Sequence, residues 1–336
     1  MSLDEEPMKM DINDARRPKR RRTAGPVTET PETVLRNQQY TTEARRFQWI
    51  QREILAPKRE GQVNETRVDV TDTAALTQQV KEFAKELGAD IVGVAEYDPR
   101  FTFTDSDVLG HTRVIAFGFA MQYDVISDLG ADSQTEVHRV YYRMYDISVT
   151  LAQYIGSMGY SARAHPNGGE LAHVPYAYLA GLGELGKHGS LISPVLGSSF
   201  RLGLVSTDLP LDIDGPQDYG IDDTCARCTV CTRFCPGEAI HEEKQMVNGV
   251  ERWHVDTGAC EPYFLQLWGC KICLMVCPYN GRGLFKESYK GPGRDVARTK
   301  NSDGLLGLFA SRTAEASQNP LLMAIHKKNV EEGGET

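Results

Sequence analysis

Two runs decide the reading: Cys225-x2-Cys228-x2-Cys231-x3-Cys235-Pro236, and Cys260-x9-Cys270-x2-Cys273-x3-Cys277-Pro278. They hold all eight cysteines of a 336-residue chain, within the 53 residues from Cys225 to Cys277. A secreted disulfide scaffold would spread its bridges through a small chain, so that class is excluded, as is a set of eight unrelated buried thiols. The rest of the composition is that of a soluble globular protein, 40% hydrophobic and 25% charged, with ample length to bury a core. The formal net charge is −9 and it is uneven: residues 1–68 carry 14 basic and 11 acidic side chains, so the remainder stands at −12. An acidic body is a poor surface for gripping phosphates, which argues against a nucleic-acid partner.

At Cys-x2-Cys-x2-Cys spacing three thiolates cap one iron–sulfur cube, while the fourth, three residues on, points to a second cube. The proline that follows turns the chain out of the site. This is the spacing of bacterial ferredoxins. It predicts one [4Fe–4S] cluster on Cys225, Cys228, Cys231 and Cys277 and another on Cys235, Cys260, Cys270 and Cys273, with none left over. A pair of zinc sites also uses paired Cys-x2-Cys, but leaves the interlocked Cys-x3-Cys-Pro endings unexplained. Clusters pass single electrons and do not transform organic substrates, so the cysteine-free body must hold whatever receives them.

Outward from the cysteines, helical and strand periods alternate. Thr73 or Thr77 is expected to cap a helix running to Leu87 and closed by Gly88. Asp90 to Tyr97 and Arg113 to Ala120 read as strands, about Glu136 to Met158 as a long helix closed by Gly159, and Tyr160 to Ala164 and Phe200 to Ser206 as further strands. The alternation predicts an α/β layer fold. Residues 1–68 read as a polar, flexible arm, with a solvated basic cluster at Arg16 to Arg22 and one amphipathic candidate at Ala44 to Leu55. Beyond Gly281 polar loops and a short helical tail around Asn319 to Lys328 are expected. The longest apolar run, Val114 to Met121, is far short of the ~20 residues a bilayer needs. No apolar segment follows Arg16-Arg17 as in an export signal, so a cytoplasmic protein without a membrane partner is expected.

In this order the segments resemble those of the reductive dehalogenases and, more distantly, the epoxyqueuosine reductases. The resemblance runs through roughly residues 70–285: Gly88 to Ala95 with Asp98-Pro99-Arg100, Leu151 to Tyr160, Ala180 to Ile192, Thr207 to Leu211, and both cysteine motifs. It implies an α/β chain (an α+β, nitroreductase-like, cobalamin-binding core) with a bacterial ferredoxin-like two-cluster module. The implied division is an arm at 1–68, a catalytic domain at 69–215, the cluster module at 216–285 and a tail at 286–336 packing on the core. Cobalamin would be bound base-off, and the chain agrees in lacking the Asp-x-His-x-x-Gly motif of proteins that ligate it through histidine. The glycine-rich turn Gly181, Gly183, Gly186, Lys187, His188, Gly189, Ser190 and Leu191 would let backbone approach that large planar cofactor; the plain alternative is a turn that binds nothing.

The family's tyrosine proton donor, its neighbouring basic residue and its asparagine fall on Tyr141, Arg201 and Asn167. Helical spacing puts Tyr141 on the inward face with Met144, Leu151 and Ile155, with Tyr142 as the reserve. Arg201 points away from the Phe200, Leu202 and Leu204 face. The bland readings are a core tyrosine, an edge-strand arginine and an Asn-Gly turn. The expected function is removal of halogen from a small organohalide, an aromatic one. A 336-residue chain has no room for an internal reductase, so electrons should come from a separate soluble donor, a ferredoxin, flavodoxin or reductase. The alternatives are an epoxyqueuosine-reductase-like enzyme acting on tRNA, and an iron–sulfur electron carrier without cobalamin. Against the first, Val140-Tyr141-Tyr142 stands where that family has Asp-Tyr-His.

Overall fold

A computed structural model describes residues 40–280, apart from 104–105, 127–130, 168, 248 and 267–268. The basic cluster at Arg16 to Arg22 and the tail at Asn319 to Lys328 lie outside the described residues. The helices are α1 (Thr42–Trp49, running on into a π-turn at Ile50–Leu55), α2 (Thr73–Glu86), α3 (Tyr123–Ile126), α4 (Ala131–Ser157), α5 (His173–Leu179), α6 (Ile221–Arg227), α7 (Val230–Arg233), α8 (Thr257–Gln266) and α9 (Ile272–Met275). The strands are β1 (Ile91–Glu96), β2 (Arg113–Ala120), β3 (Ala162–His165), β4 (Glu184–Leu185), β5 (Leu191–Ile192), β6 (Phe200–Thr207), β7 (Gln245–Val247) and β8 (Val250–Arg252).

The central sheet has the order β1-β2-β6-β3, and each pairing is antiparallel, with Ala116 and His165 both opposite Leu204. The chain is thus α/β in the broad sense, helices layered on a sheet, and among the described residues none of the pairing is the parallel kind that βαβ crossovers produce. Helix α4 lies across β3 and β6, and its Val137, Val140, Met144, Leu151 and Ile155 fill the core with Val94, Ile115, Phe117 and Val205. Gly159 closes α4 at φ +83°; a side chain there would press on Arg67 Cα at 2.6 Å.

Three expectations are corrected. Order does not begin near Val68: Thr41 caps α1 by accepting from Ala44 N at 3.0 Å, Ala44 and Leu55 are buried, and Gly61 N and Val68 N donate to Ala162 O and Met158 O. Only one face of this segment is apolar, which is why its composition reads as an arm. At α2 the cap is neither Thr73 nor Thr77 but Asp72, whose carboxylate accepts from Ala75 N at 2.9 Å, while Thr77 Oγ1 donates back to Thr73 O. Helix α4 also starts at Ala131, five residues before the expected point.

The cysteine-bearing module packs Ile221, Phe234, Trp253, Ile272, Met275 and Tyr279 into its own core. It is fastened to the body by polar contacts. Tyr123 Oη and Ser198 Oγ donate to Met275 O and Leu274 O at 2.9 Å, and the Glu184 carboxylate accepts from Tyr219 N and Ile221 N. Among the described residues no helix is long and apolar enough to cross a membrane.

Candidate redox and catalytic site

The short helices α6, α7 and α9 carry Cys225, Cys231 and Cys273. Cys225, Cys228, Cys231 and Cys277 line one cavity, together with Lys187, His188 and Tyr279. These four are the cysteines that spacing assigns to one cluster. Cys277 lies within electrostatic reach of Cys225, Cys231 and Cys228, whereas Cys270 feels Cys260 and Cys235, and Cys273 feels Cys270, Cys231, Cys235 and Cys260. The thiols therefore sort into two sets of four that meet at Cys231 and Cys273. Burial pushes the Cys231 thiol up to about 12 and Cys270 to about 11, and holds Cys225, Cys273 and Cys277 up as well. Four cysteine sulfurs around one cavity are a donor set that fits an iron–sulfur cluster.

The glycine-rich turn has a different setting from the one expected. A Cβ on Gly183 would run into Ile192 O, on Gly186 into Ile192 Cγ1 at 2.9 Å, on Gly181 into Gly215 O at 2.8 Å and on Gly189 into Val255 Cγ2 at 2.9 Å. The space on the Cβ side of these glycines is filled by the protein itself. Leu191 is core, and Ser190 N donates to His188 Nδ1 at 3.2 Å. Lys187 is 1% exposed; its backbone N–H donates to Cys225 Sγ, its Nζ to Glu242 O at 2.6 Å, and the ammonium lies 4.8 Å from the Trp253 ring centroid. The turn faces the first cysteine set.

On the body, α4 and the start of β6 bring Tyr141 and Arg201 together: the guanidinium carbon lies 5.2 Å from the Tyr141 ring centroid. Arg201 Nε is buried with no hydrogen-bond partner among the described residues. The His138 ring stands edge-on to Tyr141 at 6.1 Å, and Gln134 Nε2 reaches His138 Nε2 at 3.4 Å. Gln134 Oε1 abuts Gly269, whose carbonyl receives Lys271 Nζ at 2.9 Å. Lys271 is 2% exposed; burial and then the charge of Arg201 hold its ammonium down to about 8. Tyr141 and Arg201 thus sit on the side of the body that meets the second cysteine set.

Lys271, Gln134 and His138 escape sequence reasoning. A lysine between two ligands reads as a solvated charge, and only its burial signals otherwise. Asn167 is exposed in the turn after β3, which leaves toward the Arg201 end of β6, and no hydrogen bond joins it to Tyr141 or Arg201. Behind that turn, Glu170 accepts from Arg59 at 2.5 Å and lies 3.0 Å from His165 Nδ1, while His165 Nε2 meets Ser206 Oγ at 2.7 Å. Burial raises the Glu170 carboxyl, but hydrogen bonds from His165 and Arg59 outweigh it and hold it well below the usual carboxylate range.

A phenol and a cation thus stand beside one of two sets of four thiols. The chain is similar to the reductive dehalogenases and, more distantly, to the epoxyqueuosine reductases. It is 27% identical over 264 residues to the tetrachloroethene reductive dehalogenase of Dehalobacter restrictus, a match covering 61% of this chain and 48% of that one. The epoxyqueuosine reductase of Lactococcus garvieae is 32% identical over 145 residues, covering 41% of this chain and 40% of that one. The solved structure of the catabolic reductive dehalogenase NpRdhA in complex with 3-bromo-4-hydroxybenzoic acid superposes with a TM-score of 0.72 at 27% identity, covering 81% of this chain and 41% of that one. No protein-family model matches. The chain spans about half the length of the relatives it matches.

Proposed function

We propose that this chain catalyses reductive dehalogenation of a small organohalide, in which R–X takes up two electrons and one proton and departs as R–H and halide. The observation that carries the reading is the Arg201 guanidinium over Tyr141, on the side of the body where Lys271 brings the second cysteine set. Cobalamin, bound base-off as the family resemblance implies, supplies the reactive cobalt when present. The glycine-rich turn from Gly181 to Leu191, whose Cβ side is filled by the chain itself, would meet it through backbone N–H groups. The Tyr141 hydroxyl donates the proton, and Arg201 stabilises the phenolate left behind until solvent reprotonates it. Asn167, at the Arg201 end of the sheet, orients the substrate.

Cys225, Cys228, Cys231 and Cys277 would hold one [4Fe–4S] cluster and Cys235, Cys260, Cys270 and Cys273 the other, beside Lys271; such clusters would pass single electrons from a separate soluble donor, a ferredoxin, flavodoxin or reductase. The half-buried Arg201 over Tyr141, with the buried Lys271 within its electrostatic reach, favours a substrate with an anionic substituent, which makes a halogenated phenol a better fit than a chlorinated alkene. The test is anaerobic reconstitution with iron, sulfide and hydroxocobalamin, then halide release from bromophenols and from tetrachloroethene with a reduced dye. Bromide released only with cobalamin present supports the reading. A protein that retains iron but releases no halide from either compound overturns it, and turnover of tetrachloroethene alone overturns the aromatic assignment.

A further inference from the structure

We propose that His188 donates a hydrogen bond from Nε2 to the cluster held by Cys225, Cys228, Cys231 and Cys277, and so sets the potential at which that cluster accepts an electron. The proposal rests on the reading of these cysteines as one cluster site. Three observations carry it. First, His188 lines the same cavity as the four thiols. Second, Ser190 N–H donates to His188 Nδ1 at 3.2 Å, so Nδ1 is the acceptor and the ring proton of the neutral imidazole is on Nε2. Third, Nε2 is buried and has no hydrogen-bond partner among the described residues. An N–H donor removed from water without an acceptor is costly, and buried polar groups are nearly always satisfied. The sulfides and thiolates of a cluster are acceptors in the place where one is missing.

The local fold supports this use of the ring. Gly186 N donates to Ser190 O and Gly189 N to Gly186 O, both at 2.9 Å, with Gly189 at φ +74°. The loop between β4 and β5 is thereby pinched so that two donors face the first set: the Lys187 backbone N–H, at 3.4 Å from Cys225 Sγ, and the His188 ring. A Cβ on Gly186 would stand 3.0 Å from His188 Cε1, so glycine there leaves the ring its position. Donors to cluster sulfur favour the reduced, more negative state and raise its potential. His188 is a positioning and tuning residue, outside the proton chemistry at Tyr141.

The test uses the full chain, reconstituted anaerobically with iron and sulfide, in the wild-type, His188→Leu and His188→Gln forms, followed by potentiometric titration with EPR detection. In His188→Leu one cluster should become about tenfold harder to reduce, about 59 mV lower for a one-electron couple, with the other unchanged. His188→Gln, which keeps an N–H donor of similar reach, should recover most of the shift. Pulsed EPR of the wild-type cluster in H2O and D2O should show an exchangeable proton coupling that His188→Leu lacks and His188→Gln retains, a signature that loss of packing alone would not produce. A His188→Leu protein with both clusters, unchanged potentials and the coupling intact overturns the proposal. Wild-type protein that takes up only about four irons overturns the cysteine reading beneath it, whatever the variants do.

Discussion

Gly197→Ala should unfasten the module from the body. Gly197 closes a tight turn with Ser193, each donating its N–H to the other's carbonyl at 2.8–2.9 Å, and it has φ +71°. A Cβ there would collide with the Tyr279 carbonyl and lie 2.6 Å from Asn280 Cα, both backbone and both just beyond Cys277-Pro278. The left-handed conformation costs an alanine about 1–2 kcal/mol. Forcing a methyl against backbone that cannot swing away adds about 1–3 kcal/mol. Gly215→Ala isolates the first part, because Gly215 has φ +78° and nothing within 4 Å of its Cβ position. Taking about 2 kcal/mol as the contact contribution, Gly197→Ala should melt about 4–8 °C below Gly215→Ala. Thermal unfolding of both proteins, reconstituted under nitrogen, measures the gap, and iron analysis should show loss from the Gly197 variant alone, since Tyr279 lines the first cysteine cavity. Equal melting temperatures with equal iron would refute the claim that this close approach holds the module.

The partition of the cysteines predicts that Cys225→Ser and Cys277→Ser abolish the same EPR signal although the two lie at opposite ends of the module, while Cys270→Ser abolishes the other; each should leave about four of about eight irons. Tyr141→Phe should lower halide release by about 10²–10⁴-fold with both cluster spectra unchanged, the loss expected for removing a positioned proton donor. Acid should destabilise the body through His173. Both of its ring nitrogens face carbonyls, Leu171 O at 3.1 Å and His165 O at 3.2 Å, which favours the charged ring, but burial outweighs them and holds the group at about 4. A folded value below the ordinary 6.5 means that the neutral ring stabilises the fold above pH 6.5 and that this is lost as pH falls toward 4, at most about 3 kcal/mol. His165, held down by burial, acts in the same direction. Urea midpoints at pH 7.5 and 5 should differ less in His173→Gln than in the parent, and an unchanged difference would remove His173 as the cause.

What was legible depends on how local the constraint is. Ligand spacing such as Cys-x2-Cys is a property of a few consecutive residues, so the grouping of eight thiols is readable before any fold is known. The periods of α2, α4, β1, β2 and β6 are equally local. Pairing is not: nothing near Phe200 to Thr207 says that β6 runs antiparallel to β2 and β3, because that depends on long connections. Residues 42–55 look like an arm because only one face is apolar and its partner, α4, lies about 90 residues away. The start of α2 passed to Asp72 over Thr73 by one residue, a difference decided by side-chain geometry at the cap. Lys271 was invisible because a charge inside a motif gives no sign of its burial, yet its charge and that of Arg201 lie within reach of each other.

The glycine-rich turn shows the sharpest form of this limit. Its letters state only that the backbone is permissive, and such a turn serves equally to admit a ligand or to let the chain approach itself. Ile192, Gly215 and Val255 occupy the space its glycines spare. The consequence is that Lys187 and His188 line the cavity of the first cysteine set, so a segment that resembles a cofactor cradle in sequence also forms a wall of the thiol cavity.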